Sequence, residues 1–412
     1  MVKMASKLTF GVGNADWQER INVERLREER AKRARQVMRK HDIPAILATE
    51  NSNLRYLTGL RMPPGMSITS YVIFFVERDP IVFAFAGYHP QMPWLAPWIK
   101  HWRVARSWLW SIAGPEATRE ETKLFAGEIA AELHQTGLSR EKIAVVGFDD
   151  LAKEALRGQG LSLVEGWPLM QEMRTIKTAD EINCFKVIAS ISGVGYQEIW
   201  EALRPGITDI DVNRIAINAL YEAGAEFASV ATRSGPLAAE RGVDFTGRRL
   251  EYGDLVHVRL CGSQYLGYNA CLYRTFIVGR KPTSKEKGWH DQVRGRLDAI
   301  IDSIKPGATT AEAAKHFPPA SALGYGSEVE VLTVEIGHGI GLHHLYDPPV
   351  INRQWSFQHP QVFEPGMVIA IESLDGEHGV GGARLEDMLV VTEHGAEIID
   401  HFPRDEILVA GD

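Results

Sequence analysis

Two adjacent segments in the second half of the chain, within residues 251–279, show apolar residues at alternate positions. This alternation predicts two strands, and the Gly-containing stretch between them predicts a short turn. Side chains two residues apart lie on the same face of a strand. The pattern therefore makes Arg259 on the first strand, and Cys271 and Tyr273 on the second, candidates to face a common pocket.

The first part of the chain alternates between helical and strand patterns. Residues 16–41 are rich in helix formers with apolar residues at helical spacing, and their Arg and Lys side chains predict a solvated face. A second helical pattern spans residues 117–136. The predicted strands are residues 44–49, 67–76, 80–86 and 142–148. This alternation predicts an α/β N-terminal domain over residues 1–173.

Two features of this N-terminal domain are candidates for contacts with other molecules. The first is a cluster of tryptophans, which fits a subunit interface, an aromatic wall beside a ligand, or core packing. Its members are Trp94, Trp98, Trp102, Trp108 and Trp110. The second is Arg61, on a loop rich in Gly and Pro, where binding residues often lie.

The region from residue 174 to residue 412 predicts a second, α+β domain with an internal repeat. The repeated segments are LRPGIT at residues 203–208 with IKPGAT at residues 304–309, and EYGDLVHVR at residues 251–259 with EPGMVIAIE at residues 364–372. Two related halves are therefore predicted to face one another across a central cleft. In this register Arg259 corresponds to Glu372, which predicts a salt bridge between them.

The composition is that of an ordinary globular protein large enough for two cores, with 412 residues, 45% hydrophobic and 24% charged. The formal net charge of −8 argues against a general nucleic-acid or anionic-membrane surface, because phosphate binding needs clustered Lys and Arg. Cys184, Cys261 and Cys271 cannot all pair with one another, which suggests a reducing compartment. No apolar run reaches membrane-spanning length and the N-terminus lacks an apolar signal core, so we expect a cytoplasmic protein.

The alternating segment resembles a motif of the creatinase, prolidase and methionine aminopeptidase family. In that family the first strand reads G-D-L-V-x-x-D and the second reads Y-x-x-D-x-x-R-T-F. Residues 253–256 match the first strand, and Tyr268 and residues 274–276 match the second. The resemblance covers the whole chain and implies a pita-bread C-terminal domain. It also implies a homodimer in which the N-terminal domain reaches over the neighbour's site, where Arg61 would bind a substrate anion.

The resemblance implies a metal site whose ligand positions this chain keeps only in part. The family holds two divalent ions with two Asp, one His and two Glu residues. Here Arg259 and Cys271 occupy the two Asp positions. The other three positions match as His338 in GHG, Glu372 in IAIES and Glu386 in ARLED.

Two histidine positions of the family also differ. The family's second His lies in a G-x-H-E-x-P run, where this chain is one residue longer. Tyr346 falls at that His position, and His343 or His344 is a candidate for the same substrate-binding role. Upstream, no His occurs between Phe227 and Tyr252, where metal-dependent members carry a transition-state-binding His. Peptide hydrolysis by the family's usual route is therefore not expected.

Two site chemistries follow from these changes. Arg259 places a permanent cation at the first ion's position, because a guanidinium does not deprotonate in proteins. One zinc or iron ion could still bind Cys271, His338, Glu372 and Glu386. We favour the alternative without metal, in which Arg259 neutralises Glu386 or Glu372 and His338 carries a proton. This resembles creatinase, which also lacks both Asp ligands.

Cys271 and Tyr273 have several possible roles in such a site. Cys271 is a candidate ligand, a nucleophile activated by Arg259 and His338, or a small buried residue. Tyr273 is a candidate general acid, a residue that closes the pocket, or a packing aromatic.

The sequence therefore predicts a creatinase-like hydrolase that cleaves a C–N bond of a small polar metabolite by acid–base chemistry. Ectoine hydrolase is another family member of this kind. One alternative is a lyase resembling dimethylsulfoniopropionate lyase, with one metal ion in the site. The other is a pseudoenzyme that serves as a binding module, although the chain has no charged tail of the kind that such relatives carry.

Overall fold

The computed structural model describes residues 20–62, 69–108, 114–241, 246–343 and 347–411. The chain divides into two compact units, one of residues 23–174 and one of residues 175–412 together with the chain up to Asn22. The sequence places its predicted domain boundary between residues 173 and 174. No helix in the described ranges combines the length and the apolar character that crossing a membrane requires.

The N-terminal unit is a twisted sheet with helices packed against it. Its strands are β1 (Ala45–Thr49), β2 (Tyr71–Phe75), β3 (Ile81–Phe85), β4 (His101–Ala105), β5 (Lys142–Val146) and β6 (Ser162–Glu165). Its helices are α1 (Val23–Lys40), α2 (Asn51–Thr58), α3 (Met92–Leu95), α4 (Pro115–Gln135), α5 (Asp150–Gly158) and α6 (Trp167–Thr175). The described strands pair in the order β4-β3-β2-β1-β5-β6. β1 pairs antiparallel with β2 and parallel with β5, so the sheet is mixed.

The tryptophan cluster divides between core and surface. Trp108 is buried and packs against Phe125 with ring centroids 4.8 Å apart. Trp94 is 82% exposed, whereas Trp98 donates a hydrogen bond to the carbonyl of Thr58 at 2.8 Å. Core packing therefore accounts for part of the cluster only, and Trp110 lies outside the described residues.

The C-terminal unit is built on a larger sheet. Its strands are β7 (Ala231–Ser234), β8 (Leu255–Arg259), β9 (Gln264–Tyr265), β10 (Tyr268–Asn269), β11 (Tyr273–Val278), β12 (Ile336–Gly339), β13 (Asp347–Ile351), β14 (Val368–Glu377), β15 (Gly381–Val391), β16 (Ala396–Ile398) and β17 (Leu408–Ala410). Its helices are α7 (Ala179–Ala202), α8 (Asp209–Glu222), α9 (Ser284–Ser303) and α10 (Thr310–Ala314). Across the described residues the sheet order is β13-β12-β14-β15-β11-β8-β7.

The two predicted strands of residues 251–279 are β8 and β11, which pair antiparallel. The connection between them is longer than the predicted short turn. Pairing continues past the strand ends, from Leu260 N to the Leu272 carbonyl at 2.9 Å, and then forms the small hairpin β9–β10. Leu266 and Gly267 turn this hairpin with positive φ angles of 47° and 82°, the combination of a type I′ turn.

The two faces of β14 and β15 have opposite chemistry. Ile369 and Ile371 on β14, like Leu385 on β15, point into an apolar core shared with Leu297 and other residues of α9. Because side chains alternate along a strand, the intervening positions face the other way. Those positions carry the polar residues described next, so the helix-covered face supports the sheet and the opposite face holds the site.

Candidate active site

One row of directly paired residues crosses the sheet and joins most of the predicted site. Arg259 on β8 pairs with Tyr273 on β11, and Tyr273 pairs with Glu386 on β15. Glu386 in turn pairs with Glu372 on β14, which pairs with Ile336 on β12. Arg259 and Glu372 thus occupy equivalent places on either side of the Tyr273–Glu386 pair, as the internal repeat predicts.

The predicted salt bridge between Arg259 and Glu372 is nevertheless wrong. Adjacent strands lie about 4.8 Å apart, and three such intervals separate these two residues, or about 14 Å. Among the described residues, the ion-pair partners of Glu372 are Arg384 and Arg241, the latter at 3.7 Å. Among the described residues the ion-pair partner of Glu386 is His338, so neutralisation of Glu386 by Arg259 stays a prediction.

Arg384 is the buried cation that holds Glu372. Its side chain is 1% exposed, donates a hydrogen bond to Glu372, and stacks over the ring of Tyr273 at 4.1 Å. Arg384 lies two residues before Glu386 on β15, so both side chains leave the strand on the same face. Arg384 is therefore a component of the site that the sequence analysis did not identify, although its spacing from Glu386 was the available signal.

A second component that the sequence analysis did not place in the site is Cys261. Gly262 N bonds to the Ala270 carbonyl at 2.8 Å, which continues the β8–β11 register and sets Cys261 directly opposite Cys271. Cys261 Sγ lies 3.2 Å from Glu386 Oε2. The signal in the sequence was that Cys261 follows Arg259 by two positions.

His338 completes this side of the site. Its Nε2 atom lies 3.7 Å from Glu386 Oε1 and 3.9 Å from Cys271 Sγ. Its Nδ1 atom bonds to the carbonyl of Gly339 at 3.1 Å. Because a carbonyl only accepts, Nδ1 donates this hydrogen bond, and Nε2 faces Glu386 and Cys271.

The matched R-T-F motif fixes the strand that carries Glu386. Arg274 donates to the backbone carbonyl of Glu386 at 2.6 Å and also pairs with buried Asp387 at 3.3 Å. Thr275 donates to the carbonyl of Arg384 at 2.8 Å and accepts from its backbone N–H at 2.9 Å. These bonds join β11 to β15 where ladder pairing is sparse, so the motif positions Glu386 without facing the site.

The surroundings shift the pKa values of the two glutamates in opposite directions. Burial and the neighbouring Glu386 raise the pKa of Glu372, although Arg384 opposes them. Burial also disfavours ionisation of Glu386, but the adjacent His338 and hydrogen bonds from the two thiols outweigh burial and lower its pKa. Burial raises the pKa of Cys261 to about 11, and a hydrogen bond to Cys261 together with burial raises that of Cys271. Neutral thiols are poor nucleophiles, which disfavours the nucleophile role for Cys271.

A cavity of about 180 Å³ opens above these residues. Arg241, Arg259 and Glu372 contribute charged groups to its wall. The cavity is also lined by Cys261, Cys271, Tyr273, His338 and His343. Glu386 is fully buried below the wall, and among the described residues its Oε1 atom has no hydrogen-bond partner.

Among the predicted substrate-binding residues, His343 lines this cavity. Arg61 belongs to the N-terminal unit and is exposed. His344 and Tyr346 lie outside the described residues.

Two family models match the chain. The sequence model of metallopeptidase family M24 matches residues 183–393, and that of the creatinase/prolidase N-terminal domain matches residues 30–176. The C-terminal unit thus has the pita-bread fold, and the N-terminal unit is of the creatinase type. The chain belongs to metallopeptidase family M24.

Relatives over nearly the full length include both peptidases and a creatinase. The chain is 26% identical over 377 residues to an uncharacterized peptidase, YqhT, of Bacillus subtilis, with 89% of this chain and 96% of that protein covered. It is 25% identical over 398 residues to a creatinase of a Bacillus species, covering 90% and 89%. The structure of a Xaa-Pro dipeptidase from Bacillus anthracis matches with a TM-score of 0.74 at 24% identity, covering 94% of this chain and all of that one. These relatives support a hydrolase.

Proposed function

We propose that this protein hydrolyses a C–N bond in a small metabolite that carries a carboxylate, without the two-ion centre of metal-dependent peptidases. The observation that carries the proposal is Arg259, which lines the cavity at the position of the first Asp ligand. A second ion would also need Glu372, which is already held by Arg384 and Arg241.

The charges around the cavity favour an anionic substrate. In the described part of the site, the guanidinium groups of Arg241, Arg259 and Arg384 accompany the carboxyl groups of Glu372 and Glu386. Guanidinium groups stay charged and match carboxylates with paired hydrogen bonds. Arg241 and Arg259 both line the cavity, so a substrate carboxylate placed there would accept hydrogen bonds from guanidinium groups.

The size of the cavity favours a small substrate. Pockets for drug-sized ligands usually enclose roughly 300–1,000 Å³. The cavity here, at about 180 Å³, is smaller. It would take a molecule of amino-acid size in full, or one end of a larger one.

Glu372 is the carboxylate that can exchange a proton with this substrate. Glu372 lines the cavity, whereas Glu386 is buried beneath the cavity wall. Arg384 donates a hydrogen bond to Glu372 and so orients the Glu372 carboxylate. In the proposed reaction Glu372 takes a proton from water while the water oxygen bonds to the substrate carbon. Glu372 then returns that proton to the nitrogen as the C–N bond breaks.

The test uses a panel of carboxylate substrates and their carboxamide counterparts, with creatine, ectoine, dimethylsulfoniopropionate and a Xaa-Pro dipeptide included. We expect addition of water to a C–N substrate, and at least about tenfold lower kcat/KM for its carboxamide. Glu372→Gln should lower kcat by about 10²–10⁴-fold. Glu377→Gln, an exposed position on the same strand, is the matched control.

Three outcomes would overturn the proposal. These are equal turnover of the carboxamide, undiminished turnover in Glu372→Gln, and activity confined either to dipeptides with two bound ions or to elimination from dimethylsulfoniopropionate. The last result would establish the lyase alternative.

We also propose that the protein acts in the cytoplasm as a homodimer in which Arg61 of one subunit binds the substrate anion in the site of its neighbour. The exposure of Arg61 and the loop that carries it support this role. Arg61→Ala should raise KM and leave kcat unchanged, and a monomer in sedimentation would contradict it.

A further inference from the structure

Four side chains on the Cys271 side of the site bring ligand atoms together. We propose that Cys261, Cys271, His338 and Glu386 form a single four-coordinate zinc site, different in ligands and number of ions from the two-ion centre of the family. The inference concerns the proposed active site, but it does not depend on the proposed reaction. It replaces the metal-free site that the sequence favours.

The distances match those between ligands of one tetrahedral ion. Zinc bonds to sulfur at about 2.3 Å and to nitrogen or oxygen at about 2.0–2.2 Å, so tetrahedral ligand atoms lie roughly 3.3–3.8 Å apart. Here Cys261 Sγ and Glu386 Oε2 are 3.2 Å apart, His338 Nε2 and Glu386 Oε1 are 3.7 Å apart, and His338 Nε2 and Cys271 Sγ are 3.9 Å apart. The two thiols and a Glu386 oxygen also lie within 4.8 Å of one another, and His338, Glu372 and a Glu386 oxygen form a second such group. Glu386 is the residue common to both groups and faces Cys261 with Oε2 and His338 with Oε1.

The sheet explains why both cysteines can reach one ion. Hydrogen bonds from Leu260 N and Gly262 N, at 2.9 Å and 2.8 Å, flank Cys261 and set it opposite Cys271. Directly opposite residues of this non-hydrogen-bonded type have Cα atoms about 4.5 Å apart and side chains on one face. Two thiolates are thus presented side by side by adjacent strands, without any loop rearrangement.

Glu386 and His338 are prepared for an ion in different ways. Glu386 is fully buried, and its Oε1 atom has no hydrogen-bond partner in the part of the chain that the structure describes. A buried oxygen of this kind costs free energy unless a ligand satisfies it. His338 already uses Nδ1 on the carbonyl of Gly339, which directs Nε2 into the site. Metal-ligating histidines almost always donate their other ring N–H in this way.

The charges of the ligands and of the ion nearly cancel when one ion is present. Zinc binding would displace one proton from each thiol, which gives two thiolates, the Glu386 carboxylate and a neutral imidazole around a +2 ion. That cluster carries one negative charge, and Arg259 lines the same cavity. Arg259 therefore blocks the family's first ion and balances the charge of this one.

The ligand set selects zinc among common ions. Two thiolates, an imidazole and a carboxylate in a tetrahedral arrangement suit zinc better than manganese, which prefers oxygen ligands. Glu372 also lies within 4.8 Å of His338 and Glu386, but its carboxylate already pairs with Arg384 and Arg241, so it stands outside the proposed ligand set. It is therefore available for the substrate, and the zinc would supply positive charge beside the reacting bond.

The test measures metal content and does not need a substrate. The full chain is purified without chelator or metal-affinity tag, and metals are measured by mass spectrometry. We expect about one equivalent of zinc per chain. Cys261→Ser and Cys271→Ser should each weaken zinc binding more than about 100-fold, whereas Cys184→Ser, which alters a buried cysteine of α7, should keep the zinc.

Cobalt substitution provides a second readout on the unmutated protein, so the inference remains testable if a variant fails to fold. Cobalt bound by two thiolates gives an intense sulfur-to-metal absorption and tetrahedral ligand-field bands. Absence of these bands, zinc retained in Cys261→Ser, two ions per chain, or a Cys261–Cys271 disulfide in the purified protein would each overturn the site. The proposed hydrolysis fails separately, because it is judged by turnover.

Discussion

Glu372 and Glu386 face one another on adjacent strands, yet their surroundings are opposite. Glu372 contacts two guanidinium groups and reaches the cavity, whereas Glu386 contacts two thiols and an imidazole and is fully buried. In the family both positions hold metal. The zinc proposal thus divides one shared site into a charge-paired half, centred on Glu372, and a metal-binding half, centred on Glu386.

The largest expected effect comes from breaking the charge-paired half. Arg384→Met should lower the free energy of unfolding by about 3–5 kcal/mol, because it leaves the buried Glu372 carboxylate without its main cation. Urea unfolding measures the change. Arg39→Met removes a cation from an exposed pair with Glu77 and should cost less than about 1 kcal/mol. Equal losses in the two variants would show that the Arg384 pair is not special.

The second prediction compares the contributions of Glu386 and Glu372 to zinc binding. Glu386→Gln should weaken zinc binding at least about 100-fold, or about 2.7 kcal/mol, because it removes a ligand charge. Glu372→Gln should change zinc binding by less than about threefold. Competition with a chromogenic chelator gives both affinities. If Glu372→Gln loses the metal as well, the division of the site is wrong and the ion uses the ligands that the sequence suggests.

The third effect concerns Glu335, a buried carboxylate behind the Glu372 strand. It accepts hydrogen bonds from Ser373 at 2.9 Å and Leu374 N at 3.4 Å and lies 3.5 Å from Arg296. Burial raises its pKa from 4.5 to about 8, although Arg296 and Arg384 oppose this. The folded state therefore holds a proton that the unfolded state releases between these pH values.

This linkage predicts that the stability contribution of Glu335 is fully present below pH 4.5 and is lost as the pH rises through about 8. The loss has a slope of about 1.4 kcal/mol per pH unit inside that window. Glu335→Gln should remove this slope, so the variant gains stability relative to the parent at alkaline pH. Urea midpoints from pH 4.5 to 9 measure the difference, and a constant difference would contradict the assignment.

The sequence predicted the parts of the site that depend on local pattern. Alternation located the β8 and β11 strands, and the motif positions identified His338, Glu372 and Glu386 as a set. The short turn was wrong, because the residues between the strands form their own hairpin with a type I′ turn at Leu266 and Gly267. Roles for Arg61, His343, His344 and Tyr346 stay predictions.

The missed residues were all decided by pairing between strands. The places of Cys261 and Arg384 in the site follow only from the strand register. That register sets Cys261 opposite Cys271 and Arg384 diagonal to Glu372. Arg241 reaches Glu372 from a segment without a recognisable motif.

By itself, the sequence determined the family, the strands and which residue types could carry the chemistry, because these depend on composition and on spacing along one segment. Only the tertiary structure decided which charges pair. The repeat correctly made Arg259 the counterpart of Glu372, but three strand intervals separate them, and charges attract appreciably only at close range. Arg384, one strand away, therefore holds Glu372, whereas Arg259 lines the cavity.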